Sequence, residues 1–197
     1  MTLAVAIPFV ERRTRPRLAQ PETMQLIIRT AIQMMHDLPV NAVTYREIAA
    51  RAGVNQSYVA RYFGSQQEML IAVTEELSQR AKRHWANPDP RAIINDPEIR
   101  IRLTVVQYLL ALGVPPERFA DQVNEQMDAL GEHFVQHLGY NERAVRAFRA
   151  KMGMLLLLTH GGTARANGID ESTVNDVVAL FVDELEHGTA SIERLGW

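Results

Sequence analysis

The stretch REIAARAGVNQSYVARYF, from Arg46 to Phe63, contains two short helical patterns separated by a glycine. At its start, Thr44 and Glu47 match a capping box, in which a threonine N-cap is followed three residues later by a glutamate. Gly53 stands where the end of a helix favours a residue that tolerates positive φ, and Asn55 can cap a following helix. The stretch therefore predicts one short helix that ends before Gly53 and a second that begins after Asn55.

Two short helices joined by a tight glycine turn form a helix-turn-helix, whose second helix enters the major groove of DNA. The apolar residues of the stretch are spaced to face inward: Ile48, Ala49, Val54, Val59 and Phe63. The outward set can hydrogen-bond base edges or phosphates: Gln56, Ser57, Tyr58, Arg61 and Tyr62. The same pattern also fits an ordinary packing corner between two helices.

Charge is distributed unevenly along the 197 residues. Residues 11–65 carry eight basic and four acidic side chains, whereas the remainder carries 13 basic and 19 acidic ones. The front is therefore net +4 and the rest net −6. This asymmetry favours a polyanionic partner for the front of the chain alone.

Several classes of protein are disfavoured by simple features of the sequence. There is no cysteine, which excludes disulfides, thiolate metal sites and cysteine nucleophiles. The charges follow the apolar start instead of preceding it, the reverse of a secretory signal. No strongly apolar run approaches the ~20 residues that span a bilayer. We therefore expect a soluble, cytoplasmic protein without a membrane segment.

The apolar period is helical along most of the chain, and no alternating strand pattern of useful length occurs. A first helix is expected from Pro21, ending near the segment LPVNAV at 38–43. Further helices are expected over about 66–85, 98–112, 116–138, 141–165 and 171–187, with a linker or loop over 87–97.

The sequence therefore predicts an all-α protein. Residues 21–65 would form a three-helix helix-turn-helix DNA-binding module. Residues 66–197 would form a helical bundle for ligand binding and dimerisation, and residues 1–20 a mobile basic arm.

The segment TYREIAARAGVNQSYVARYFGSQQEML, residues 44–70, resembles the DNA-binding signature of the TetR (tetracycline-repressor-like) family of transcriptional regulators. The matching positions are Thr44, Ile48-Ala49, Ala52-Gly53-Val54, Tyr62-Phe63, Gly64-Ser65 and Met69-Leu70. The resemblance covers roughly residues 21–72, about a quarter of the chain. It implies a homodimer that binds a double-stranded operator and releases it when a small molecule binds the back domain.

The resemblance also implies roles for individual side chains. Thr44 would cap its helix and touch phosphate, residues 56–58 would approach bases or backbone, and Tyr62 would touch phosphate. The full DNA-binding set predicted is Thr44, Arg46, Gln56, Ser57, Tyr58, Arg61, Tyr62 and Gln66, with Arg13 and Arg15 from the arm.

Two positions depart from the family pattern. Gln66 stands where the family usually has a lysine, and Ala60 stands where it often has a tyrosine. Each lost phosphate contact would flatten the salt dependence of binding by about 0.9 in log–log slope.

The arginine cluster of the N-terminal arm offers a compensating contact. Arg12, Arg13, Arg15 and Arg17 are expected to touch the DNA backbone or a minor groove, as arms of this kind do. A solvated tail without a defined contact is the alternative.

The back half carries predictions for a ligand pocket and a dimer interface. Methionine and aromatic side chains suit adaptable apolar cavities, and the expected lining is Gln107, Tyr108, Met127, Leu130, Phe134 and Met154. Residues of these types at helical spacing more often belong to a plain core. A moderately apolar effector is expected. The expected dimer contacts are Gly161, Gly162, Val174, Val178 and Phe181, and the glycine pair can alternatively end or kink its helix.

Two other classes of function remain open from the sequence. His133 and His137, four residues apart and near Asp128 and Glu132, could hold a metal in a helical-bundle enzyme. A di-iron bundle needs two Glu-x-x-His motifs, and the chain has one, at Glu184–His187. We therefore expect no enzyme, cofactor or metal. The other class is a DNA-binding regulator without small-molecule input.

Overall fold

The computed structural model describes residues 19–84, 90–159 and 166–187. Within these ranges the regular structure is entirely helical, so the all-α prediction is confirmed. No helix of the described ranges is long and apolar enough to cross a membrane.

Four helices form the front of the molecule, and their bounds follow the local signals in the sequence. They are α1 Gln20–Met35, α2 Tyr45–Ala52, α3 Gln56–Phe63 and α4 Gln66–Ala81. The Thr44 hydroxyl accepts the Glu47 N–H at 3.3 Å, and the Asn55 carboxamide oxygen accepts the Ser57 N–H at 2.9 Å. Gly53 adopts φ of 66°, the left-handed conformation that glycine reaches without strain. These caps explain why α2 stops and α3 starts at once.

The back of the molecule begins with a helix that the sequence reading missed. Its helices are α5 Pro90–Asn95, α6 Pro97–Ala111, α7 Glu117–Leu138, α8 Glu142–Thr159 and α9 Glu171–His187. The predicted loop over 87–97 is therefore wrong for its second half. Pro90 and Pro97 each begin a helix, because proline at the first helical position loses no hydrogen bond.

The first hydrophobic core belongs to the front helices together with α6 and the start of α7. Its buried members include Ile27, Ala31, Met34, Ile48, Val59, Phe63, Met69, Leu70, Leu77, Val105 and Leu109. Apolar side chains of α4 and α6 thus complete the core beneath the two short helices. The packing runs without interruption across residue 65, where the sequence reading placed a domain boundary.

The second core joins α5, α7, α8 and α9, and its centre is a cluster of aromatic rings. The Phe148 ring lies 4.3 Å from that of Phe134 and 5.2 Å from that of Phe181, centroid to centroid. Three helices are shared between the cores: α4 gives Leu77 to the first and Ala81 to the second, α7 gives Phe119 and Phe134, and α6 also contributes to both. The front is therefore attached to the back through α4, α6 and α7.

Charged side chains fasten the end of α4 to the start of α6. Asp96 is buried, caps α6 by accepting the Glu98 N–H at 2.8 Å, and binds Arg83 at 2.6 Å and His84 at 2.5 Å. Burial alone would raise the pKa of Asp96, but the hydrogen bonds from His84, Glu98 and Arg83 outweigh it and leave the pKa below its usual value. Arg80 extends this cluster to Glu98 at 2.8 Å.

Candidate nucleic-acid interface

Helix α3 is held in the front module by one apolar face. Val59 and Phe63 are buried, and Val54 in the preceding turn packs against the same core. Ile48 and Ala49 of α2 lie beneath them, also buried. The inward set predicted from the sequence is therefore confirmed, and it leaves the opposite face of α3 directed away from the protein.

That opposite face carries polar and aromatic side chains. Gln56, Ser57 and Arg61 are exposed, and Tyr58 and Tyr62 are partly buried. The short side chain of Ala60 is also exposed and leaves open space beside them. Ser57, Tyr58 and Arg61 therefore lie on the side of α3 opposite the buried face, Tyr62 borders them, and Gln56 is exposed at the start of the helix.

Tyr58, Arg61 and Tyr62 form a cluster that the sequence reading did not foresee. The two tyrosine rings stack with centroids 5.8 Å apart and planes 14° apart. The Arg61 guanidinium carbon lies 5.2 Å from the Tyr58 centroid and 5.1 Å from that of Tyr62. An Arg61 N–H also donates to the Tyr62 hydroxyl at 3.3 Å. The spacing of four residues between the tyrosines is the sequence signal that could have indicated the stack.

The remaining predicted contacts of the front lie at helix N-termini or outside the described residues. Thr44 is partly buried and uses its hydroxyl as the cap of α2, while Arg46 is exposed in the first turn of α2. Backbone N–H groups at such a helix start favour a nearby anion. Arg13 and Arg15 lie outside the described residues, so their contact with DNA stays a prediction.

Gln66 has an architectural role that sequence reading missed. Its side-chain amide donates to the backbone carbonyl of Val43 at 3.1 Å. This bond ties the start of α4 to the residue just before Thr44. Gln66 therefore helps to hold the N-terminus of α2 in place.

Among the residues predicted to line a ligand pocket, those whose side chains the structure describes lie in different surroundings. Tyr108 packs against the first core, Phe134 lies in the second, and Gln107 is partly buried. Met154 is 58% exposed on α8, so its prediction as a lining residue needs correction. Met127 and Leu130 belong to α7, but their side chains lie outside what the structure describes.

The predicted dimer residues of α9 face the interior of this chain. Val178 and Phe181 are buried in the second core, and Val174 packs against it, because α8 and α5 cover that face. The apolar side chains that α8 and α9 do expose are others: Met154, Leu157, Val177 and Leu180. The residues assigned to dimer contact therefore need correction, and Gly161 and Gly162 lie outside the described residues.

The histidines considered as metal ligands do not gather a ligand set in the described part of the chain. His133 is partly buried, with its ring 6.1 Å from that of Phe134. Among the described residues no three histidine, aspartate or glutamate side chains are grouped to hold a metal ion.

Comparison with known proteins places this geometry in a wider context. The sequence profile described as "Bacterial regulatory proteins, tetR family" matches residues 27–73, from within α1 to the middle of α4. An HTH-type transcriptional repressor of Mycobacterium tuberculosis is 28% identical over 186 residues, covering 89% of this chain and 97% of that protein. An HTH-type transcriptional regulator of Mycobacterium bovis has the same identity and coverage. No solved structure matches the chain significantly.

Proposed function

Because this chain is a DNA-binding transcriptional regulator of the tetR family, we propose that it acts as a repressor. In this proposal a homodimer binds a palindromic operator and is released when a small, moderately apolar effector binds its back helices. The Mycobacterium tuberculosis repressor, which is 28% identical and aligned over most of both chains, supports the direction of regulation.

The outward face of α3 is the observation that carries the DNA-binding proposal. Its exposed side chains are hydrogen-bonding or cationic, with Gln56, Ser57 and Arg61 at the surface. A helix of this kind in a helix-turn-helix inserts into the major groove, where base edges offer donors and acceptors. The net charge of +4 over residues 11–65 adds attraction to phosphate.

Dimerisation is supported by the apolar side chains that α8 and α9 expose. Leu180 is 69% exposed, Met154 58%, and Leu157 and Val177 lie near 45% and 43%. Soluble proteins seldom leave clustered apolar side chains in water unless a partner covers them. In a dimer related by two-fold symmetry, the two α3 helices must lie about 34–36 Å apart to enter successive major grooves.

The proposal of an apolar effector rests on the composition of the second core. Its buried members are aliphatic or aromatic, including Phe134, Phe148 and Met152. An effector that occupied this region would meet few ionic groups.

A second candidate function is a regulator without small-molecule input. It is favoured by the close ring packing around Phe134, whose ring centroid lies 4.3 Å from that of Phe148 and 5.7 Å from that of Tyr140.

Selection of bound sequences from a random DNA pool tests the main proposal. We expect an enriched palindrome with half-site centres about 10–10.5 base pairs, or a multiple, apart. A compound screen for loss of binding then separates the two candidates, since only the effector-controlled regulator should yield hits. Failure to enrich any palindrome would contradict the proposed operator binding.

The arginine arm can be tested with the same operator. Deleting residues 1–18 should weaken binding at low salt and flatten its salt dependence, because phosphate contacts release counterions. Unchanged affinity at low salt would remove the arm from the interface.

A further inference from the structure

We infer that Arg61 reads a guanine in each half-site of the DNA, and that Tyr58 and Tyr62 hold its side chain in position to do so. The inference rests on the proposed DNA binding and deepens it, because it names a base and the side chain that recognises it.

The place of Arg61 on α3 is the first reason. With about 100° of rotation per residue, Arg61 lies about 160° around the helix from both Val59 and Phe63. Those two side chains are buried against the core. Arg61 therefore stands at the centre of the face directed away from the protein, where a recognition helix meets base edges. Phosphates are met from the flanks of such a helix, where the groove walls lie.

The conformation of Arg61 is the second reason. Its guanidinium lies close to both tyrosine rings, 5.2 Å and 5.1 Å from their centroids, and donates to the Tyr62 hydroxyl at 3.3 Å. An arginine side chain loses much of its rotamer freedom when it is fixed. The contacts with the two tyrosines restrict the Arg61 side chain before DNA binds. Arg61 is therefore preorganised, which a mobile contact to phosphate would not require.

The donors of Arg61 match one base best. A guanidinium has five N–H groups, and the bond to Tyr62 uses one of them. Guanine is the base that presents two acceptors, N7 and O6, on its major-groove edge, and arginine pairs with both. Ala60 beside it is short and exposed, and Ser57 lies one turn earlier on the same face. Neither side chain obstructs the approach of a base edge.

The test compares sequences selected by the full-length wild type, Arg61→Ala, Arg61→Lys and Arg146→Ala. Arg146 is an exposed arginine on α8, distant from α3 in the chain, and serves as the matched control. We expect wild type and Arg146→Ala to enrich the same guanine at one position of each half-site. Arg61→Ala should lose that preference alone and bind the wild-type site about 10- to 100-fold more weakly, while Arg61→Lys keeps only part of the preference.

The salt dependence of binding separates base reading from phosphate contact. Under the inference, Arg61→Ala leaves the log–log slope close to that of wild type. A slope flattened by about 0.9 for each lost contact, with equal weakening on all sites, would overturn it. An unchanged base preference in Arg61→Ala would overturn it too. If wild type enriches no site at all, the proposed function fails, and the inference fails with it.

The positioning role of the tyrosines has its own readout. Tyr58→Phe retains the ring and should retain the guanine preference, whereas Tyr58→Ala should reduce it. Tyr62→Phe removes the hydroxyl bond and should weaken the preference a few-fold. Folding of the variants is verified by circular dichroism. An equal guanine preference in Tyr58→Ala and wild type would show that the tyrosine rings do not position Arg61.

Discussion

The outer face of α3 and the outer faces of α8 and α9 are both exposed, but they expose opposite chemistry. On α3 the side chains are polar, aromatic or cationic, and three of them are organised by stacking around Arg61. On α8 and α9 the exposed side chains include several large apolar ones, led by Leu180 and Met154. The first surface suits a hydrated polyanion, and the second suits another apolar surface. The difference agrees with the two partners proposed above, DNA at one end and a second copy at the other.

The largest effect is expected in the core that supports the apolar end. Phe148 is buried and touches the rings of Phe134 and Phe181. Phe148→Ala should lower the free energy of unfolding by about 3–5 kcal/mol, because it leaves a cavity among aromatic rings. Chemical denaturation measures this, with exposed Leu157→Ala as the control that should change little in the monomer. A decrease of less than about 1 kcal/mol in the free energy of unfolding would mean that α8 and α9 do not pack as described.

The next effect concerns the surface itself. Leu180→Lys should leave the fold intact and raise the dimer dissociation constant by at least about 30-fold, since an apolar anchor of an interface contributes about 2 kcal/mol or more. Sedimentation measures the mass of each variant in solution, and hence how much of it is dimeric. Leu112→Lys, at a leucine 49% exposed after α6, is the matched control. An equal effect of both variants, or none, would remove α9 from the dimer contact and undo the contrast between the two ends.

The accuracy of the predictions from sequence also differs between the two ends of the molecule. The bounds of α2 and α3 are set by Thr44, Gly53 and Asn55, whose caps and backbone conformation act within a few residues. Such local signals can be read from one segment. The turn at Pro90 was misread because proline both ends and begins helices, and only the packing of α5 on α9 decides between them.

The predictions that failed depended on contacts distant in sequence. The apolar side chains of α9 form two groups. Val178 and Phe181 are buried, whereas Val177 and Leu180 are exposed. Helical spacing cannot separate these two sets, because their assignment depends on where α5 and α8 lie. The stacking around Arg61 likewise depends on side-chain conformers, which spacing alone does not specify.

A smaller effect is expected where the two ends are joined, at Asp96. Its folded pKa lies below the usual value, so its stabilising contribution is present above the unfolded pKa, near 3.9, and is lost as pH falls through the lower folded value. Asp96→Asn should cost about 1–2 kcal/mol at pH 7, because charge-assisted bonds to Arg83 and His84 are lost. Denaturation from pH 7 to pH 3 measures this, and the variant's stability should fall less steeply. A variant with an unchanged acid profile would contradict the role of Asp96.

The smallest effect is expected beneath the DNA-facing end, at Tyr45 in the first turn of α2. Its ring packs against the first core, and its hydroxyl is buried without a hydrogen-bond partner among the described residues. Burial raises the pKa of this hydroxyl, which keeps it neutral at physiological pH. An unpaired buried hydroxyl is costly, so Tyr45→Phe should leave stability unchanged or raise it by up to about 1 kcal/mol. Thermal and chemical denaturation measure this, and operator affinity should not change because the hydroxyl faces inward. A loss of stability would mean that the hydroxyl has a partner in solution, and a loss of affinity alone would place Tyr45 in the DNA interface with the cluster on α3.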